Sequence, residues 1–148
     1  MSDPRFSGSL DLTSLRAVVL ALGNALDVTA SPEFKLADPR WRDTLVAGVV
    51  QHFEFTFELC WKTLKRQLVQ ELPSPTMLES MHYRDLIRLG HERGLIVNVL
   101  DWFDFRELRN ITAHTYAREK AAEVAAGAVK LLAEAKILLA ATEVRQRG

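Results

Sequence analysis

A single cysteine, Cys60, is all the thiol chemistry available to this chain of 148 residues. One cysteine excludes an internal disulfide and a zinc site built on cysteines. Set among Phe, Leu and Trp, it reads as a small buried apolar residue and fits a reducing cytoplasm. Neither sign of charge is in excess, since 19 Lys and Arg balance 19 Asp and Glu. No global field draws in nucleic acid or membrane, so an anionic partner has to be held by a local patch. Long hydrophobic runs are also missing. The stretch AVVLALGNAL (17–26) is too short to span a bilayer, and Asn24 and Asp27 interrupt or end it. It reads as a core helix, and no membrane partner is expected. There is no Gly-rich phosphate loop and no carboxylate cluster with metal-ligand spacing. The chain therefore points to no metal and no cofactor of its own.

What remains is helical periodicity, with no run of strand alternation. Residues 1–148 read as a single helical domain with its core over about 10–144, and 48% hydrophobic residues suffice to build it. The spacing predicts a first helix from about Asp11 to Asp27, with Leu12, Leu15, Val19, Leu22 and Leu26 on its buried stripe. A linker follows, in which Pro32 and Pro39 break helix. A second, long helix runs from about Arg42 to Glu71 and buries Leu45, Val49, Phe53, Phe57, Cys60, Leu64 and Leu68. Phe55 and Leu59 fall away from that stripe. Two readings fit them: contact with another copy of the chain, or a wide core stripe. A third helix starts near Thr76, which has capping-box spacing to Glu79, and stops at Gly94 as a left-handed cap. A fourth opens at Asn98 to Asp101, turns Trp102, Phe105, Leu108 and Thr112 inward, and ends near His114 to Tyr116. The last covers about Glu119 to Val144, with a seam of Ala121, Val124, Ala125, Ala128, Leu131, Leu132, Ala135 and Leu138. The sum is an all-α protein, an up-and-down four-helix bundle with an additional short helix.

Chemistry concentrates in RNITAHTY (109–116). On a helix Asn110 and His114 share a face, while Arg109 and His114 stand about 140° apart and flank a groove. Unwinding at Ala113 would let His114 swing toward Arg109. Cleaving RNA without a metal requires a proton to leave the 2′-OH, a proton to reach the leaving 5′-oxygen, and stabilisation of the phosphorane between them. Histidine can move protons in either direction near neutrality. Arginine stays charged and grips phosphate oxygens bidentately. Asn110 can orient the imidazole or bind phosphate. The blander reading has His114 favoured by the helix C-terminus and Arg109 paired with Glu107 or Asp104. Arg–His spacing alone has little specificity: about one such match arises by chance in a chain this rich in arginine. A second near-match, RDLIRLGH (84–91), reads as a solvated basic face of Arg84, Arg88 and His91 beside Asp85, or else as a track for an RNA backbone. Arg106 and Arg118 are further candidate RNA contacts. Glu58 and Lys62 are four apart, so an intrahelical ion pair is expected, with a role at a dimer cleft as the alternative. Trp61 reads as core.

RNITAHTY resembles the R-x4-H-x-Y motif of the HepT toxins of the HEPN superfamily. VVQHFEFTFELCWKTLKRQL (49–68) is similar to the long-helix signature of the nucleotidyltransferase substrate-binding proteins, and SPTMLESMHYRDLIRLGHERGLI (74–96) to that family's next helix. The resemblance spans about residues 10 to 140. It implies a four-helix bundle that forms a homodimer with the motif near the dimer cleft. It implies a toxin–antitoxin pair whose other member is a nucleotidyltransferase of the MNT type. In that family the toxin is a metal-independent RNase, and Arg109 and His114 match its catalytic pair. The antitoxin transfers AMP from ATP to the motif tyrosine, here Tyr116, which adds negative charge and bulk beside the catalytic histidine. In one respect the chain departs from the pattern. Ala117 and Arg118 follow Tyr116 where an acidic residue is common, and a basic Arg118 suits RNA binding or altered docking of the partner. The alternative is a non-catalytic subunit that positions substrate for a nucleotidyltransferase.

Overall fold

The computed structural model describes residues 9–114 and 118–147, and leaves the side chains of Pro75, Ala113, His114, Arg118 and Glu119 outside that description. Among the described residues it is helical, without strands. Helix α1 covers Thr13–Thr29, α2 Pro32–Leu36 and α3 Pro39–Glu71; a 3-10 segment at Pro75–Ser80 leads to α4, Tyr83–Glu92; α5 covers Val99–His114 and α6 Arg118–Arg147. The four longest, α1, α3, α5 and α6, make the bundle. Their order is up and down. Leu10, before α1, donates its backbone N–H to Gln146 (2.8 Å) near the end of α6, and Arg145 binds Glu71 at the end of α3. Thus α3 and α6 run one way and α1 the other.

On α1, α3, α5 and α6 the buried core follows the predicted stripes, with Leu26, Leu45, Leu108 and Leu132 only half-buried at their margins; Leu78, Leu86, Ile87, Leu95 and Ile96, which the stripes did not include, complete it. Leu15, Leu22, Phe53, Cys60, Leu64, Leu68, Trp102, Phe105, Leu131 and Leu138 are each at most 2% exposed. The Phe53 and Phe105 rings meet edge-on across α3 and α5 at 6.4 Å, and Trp102 meets Phe105 at 5.2 Å. Small residues on α6 let neighbours come close: a Cβ added at Gly127 would sit 2.3 Å from Leu108 Cδ1. Burial pushes the Cys60 thiol far above the usual range, which keeps it protonated and inert.

Three expectations need correction. Pro32 and Pro39 do not interrupt helix; they open it. Each stands at the first helical position, behind a cap: Ser31 Oγ accepts from the Phe34 N–H (3.3 Å) and Asp38 Oδ1 from the Arg40 N–H (2.8 Å). A proline there loses no bond, because that N–H has no intrahelical acceptor. The single helix expected over 76–94 is two elements, because Met81 and His82 are extended. The 3-10 segment packs on α3, whereas α4 packs on α5 and α3, so one straight helix cannot serve both. Ser74, not Thr76, stands at the N-cap position, without a side-chain capping bond to a backbone N–H, and the two hydroxyls lie 3.2 Å apart. Finally, α6 continues past Val144 to Arg147. Arg145 there grips Glu71 at 2.6 and 2.7 Å and donates to the Arg93 carbonyl, and Gln146 donates to Gln67 (2.6 Å) and Gln70 (2.9 Å).

Gly94 closes α4 as expected, with φ of 79°. The Leu95 and Ile96 N–H groups then turn back to the Gly90 carbonyl, at 2.8 and 3.2 Å. The His91 ring donates from Nδ1 to the Ile96 carbonyl (2.9 Å), which can only accept, so the proton sits on that nitrogen. An L-residue at 94 would hold a left-handed conformation at a cost of roughly 1–2 kcal/mol. Gly94→Ala is therefore expected to lower unfolding stability by about that amount in urea titrations, with the slope unchanged.

Candidate functional site

Glu54, Glu58, Trp61 and Lys65 are spaced four, three and four residues apart on α3. That spacing lines them along one side of the helix, about 100° round from the buried Phe53 and Phe57. Burying the core face therefore aims this second, mostly polar stripe at the edge of the bundle, where α5 runs. From α5, Arg106, Arg109 and Asn110 face it at helical spacing. Leu78, Met81, His82, Tyr83 and Leu86 close the far side. Together with Phe57, Glu58, Trp61 and Lys65 they line a groove of about 460 Å³.

Arg109 stands at the junction of α3 and α5. Its Nη1 is 3.5 Å from Glu54 Oε2, and its Nε is 3.6 Å from Glu58 Oε1. The partners expected from the sequence, Glu107 and Asp104, are not the ones it meets. Both carboxylates come from the neighbouring helix. These are ion-pair distances, longer than hydrogen bonds, and the buried Nε has no hydrogen-bond partner among the described residues. The guanidinium is thus held in place by charge from behind, while its planar fork is not locked into a bidentate pair. With 28% of its side chain exposed, it can still receive an anion from the groove side. Glu58 is shared: Lys62 Nζ lies 3.9 Å away, the expected intrahelical pair, but Lys62 is exposed and the contact is weak.

Tyr83 forms a rigid wall of the groove. Its hydroxyl donates to the Trp102 carbonyl (2.7 Å), its ring meets Phe57 at 5.9 Å, and the Arg106 guanidinium lies over it, 4.8 Å from the centroid. Burial pushes the Tyr83 phenol well above its usual range, against the opposing pull of Arg106.

The candidates from the sequence fall into three groups. Arg106, Arg109 and Asn110 line one groove. His114 is the last residue of α5, and the backbone is helical through it, without the unwinding at Ala113 that would swing it toward Arg109. It therefore shares a helix face with Asn110; its side chain lies outside the described residues. So does Tyr116 altogether, and so does the side chain of Arg118, the first residue of α6. Trp61 is half-buried: it packs against the core, as expected, and its open side forms part of the groove wall. Arg84 and Arg88 do more than face solvent: both lie over the Phe103 ring, at 4.8 and 5.4 Å, and Arg88 meets Asp85 at 3.4 Å. Glu54, Lys65, His82 and Tyr83 were not singled out from the sequence. The signal for the first two was available in their i, i+4, i+7, i+11 register with Glu58 and Trp61.

Comparison with known proteins agrees with this architecture. Residues 10–144 match the family described as nucleotidyltransferase substrate binding protein like. A protein of Haemophilus influenzae (strain Rd) named Probable ribonuclease HepT is 41% identical over 107 residues, covering 72% of this chain and 72% of that protein. A solved Haemophilus influenzae structure, described as revealing the fold of a substrate binding domain of a nucleotidyltransferase, superposes with a TM-score of 0.85. It is 34% identical and covers 90% of this chain and 99% of that one.

The state of Tyr83 has a measurable consequence. A phenol whose folded pKa is raised keeps its proton in conditions where the unfolded chain has lost it. Stability is then unaffected below the ordinary phenol value near 10 and falls as pH rises through it. Urea midpoints measured from pH 8 to 11 are expected to fall less steeply for Tyr83→Phe than for the wild type. At pH 8 the variant should instead lose about 1 kcal/mol, from the lost hydroxyl bond to the Trp102 carbonyl.

Proposed function

The chain belongs to the nucleotidyltransferase substrate-binding protein family, and from that premise we propose that it is a HepT-type ribonuclease, the toxin of a two-component pair, working without a metal. The observation that carries this reading is the setting of Arg109. It is a cation fixed from behind by two carboxylates, open toward a groove that also presents Lys65 and Arg106, and five residues before His114 on an unbroken helix. In this reading the groove binds the RNA backbone and Arg109 takes the scissile phosphate through its fork. His114 exchanges protons with the 2′-hydroxyl and the 5′-leaving oxygen, and Asn110, on the same face, orients the imidazole or the phosphate. The attacking hydroxyl belongs to the substrate, so DNA resists. Products end in 2′,3′-cyclic phosphate and 5′-hydroxyl. Glu54 and Glu58 position Arg109 and hold its charge in place until the phosphate arrives.

One motif histidine, His114, and one motif arginine, Arg109, per chain are few for this reaction, and a homodimer brings two of each to one assembly. An unused face of α3 supports that assembly. Trp41 is 69% exposed and Phe55 50%, each seven residues from Gly48, where an added Cβ would meet nothing within 4 Å. Glycine inside a helix is unfavourable by roughly 0.5–1 kcal/mol relative to alanine. Here it opens a flat crossing point between two aromatics, as a two-fold contact of α3 with its copy requires.

Control of the nuclease follows from Tyr116. A nucleotidyltransferase partner transfers AMP from ATP to its hydroxyl oxygen, which loses its proton as the bond to the α-phosphorus forms and pyrophosphate leaves, and the adenylate phosphate competes for Arg109. The description of the solved relative favours a second reading, a non-catalytic subunit that positions substrate for such a partner.

The deciding experiment is cleavage of mixed cellular RNA in EDTA by chain unmodified at Tyr116. The wild type is expected to give cyclic-phosphate ends, His114→Ala to lose at least about 100-fold in rate, and Arg109→Lys to lose most activity because a point charge cannot replace the fork. No cleavage by the wild type would favour the second reading. Tyr116→Phe should cleave normally and escape silencing by the partner with ATP; if it is still silenced, tyrosine is not the acceptor.

A further inference from the structure

The groove in front of Arg109 holds more than a phosphate needs. Lys65, Arg106 and Arg109 give it a cationic side, which suits a phosphodiester. Trp61, Leu78, Met81 and Leu86 give it an apolar side, which a phosphate does not use. Its volume of about 460 Å³ lies in the range of small-ligand sites, about 300–1,000 Å³. A purely apolar ligand would leave Lys65, Arg106 and the open side of Arg109 unused, since Glu58 offsets only part of their charge, and a bare anion would leave the indole and the thioether idle. A nucleotide satisfies both sides, with its base against the apolar wall and its phosphate toward the guanidinium groups.

From this, and resting on the ribonuclease reading above, we propose that the groove is a base-binding subsite, in which Trp61 stacks an unpaired base next to the phosphate held by Arg109. The walls are rigid enough for that role. Tyr83 is fixed by its bond to the Trp102 carbonyl, and Arg106, lying over the Tyr83 ring, presents a second planar surface. Trp61 lies on the same α3 stripe as Glu58, one turn on, so the stacking surface and the group that positions Arg109 are set by one helix. A base in a duplex has both faces covered by its neighbours and cannot enter. The subsite therefore selects single strands and loops, by stacking and not by reading a particular base edge.

Binding of a labelled, mixed-sequence, 2′-O-methylated RNA 12-mer tests this without turnover. Anisotropy titrations at fixed salt compare the single strand with its blunt duplex, on full-length wild type, Trp61→Ala and Trp61→Phe. The wild type should bind the single strand at least about tenfold more tightly than the duplex. Trp61→Ala should weaken the single-strand complex by about 5- to 150-fold, the loss of one stacked base, and Trp61→Phe should restore most of it. Quenching of tryptophan fluorescence by the 12-mer should be present in the wild type and largely absent in Trp61→Phe, which keeps the test valid if the alanine variant folds poorly. Equal affinity for duplex and single strand, unchanged binding in Trp61→Ala, or no binding by the wild type would overturn the subsite. Because the probe cannot be cleaved, a failed cleavage assay beside intact Trp61-dependent binding removes the nuclease and leaves the nucleotide groove. The converse pattern removes the subsite and leaves the nuclease.

Discussion

A long helix can turn only one face to a core, and in this protein that constraint on α3 governs the rest. Once Phe53, Phe57, Cys60 and Leu64 are buried against α1, α5 and α6, every other side of α3 has a fixed direction. Glu54, Glu58, Trp61 and Lys65 must face the edge where α5 runs. Trp41, Gly48 and Phe55 must face away from the bundle. Core packing, the candidate site and the unused face are therefore three sides of one helix. The dense burial of the first fixes the geometry of the other two.

The site shows how a charge is kept usable at the margin of a hydrophobic core. A guanidinium tightly forked to one carboxylate would have to exchange that pair for a phosphate at a large desolvation cost. A guanidinium with no counter-charge would be mobile and unfavourable so near the core. Arg109 takes an intermediate position, with two carboxylates at ion-pair distance behind it and its groove side open. Two carboxylates bearing on one arginine also limit how strongly it attracts stray anions.

The ends of the bundle are held by different means. Apolar packing fades there, and polar pairs replace it: Arg145 with Glu71 and Arg93, and Gln146 with Gln67, Gln70 and Leu10. This cluster joins the end of α6 to the end of α3, the turn after α4 and the approach to α1. It explains why α6 is longer than its apolar seam. It also anchors the turn from which α5 sets out, and so contributes to where Arg106, Arg109 and Asn110 come to lie.

Much of this was legible in the chain itself. The 3.6-residue period named the core of the four long helices, because burial of apolar side chains is local to each helix, but not Leu78, Leu86, Ile87, Leu95 and Ile96, which short segments bring in around a break at Met81 and His82. Gly94 was legible as a left-handed cap for the same reason, and so was the motif from Arg109 to Tyr116, since its residues lie within two turns. The sequence could not say which carboxylates Arg109 would meet. Glu107 and Asp104 were nearer along the chain, but the actual partners, Glu54 and Glu58, are brought up by the packing of α5 on α3. It could not show that Trp61, packed against the core, would also present a side to a groove, because Met81 and His82 extend the chain and carry Tyr83 round to the opposite side. Helix identity was a property of the sequence, since periodicity and capping act over a few residues. The groove was decided only in three dimensions, since its charges and walls come from segments tens of residues apart that share no local signal.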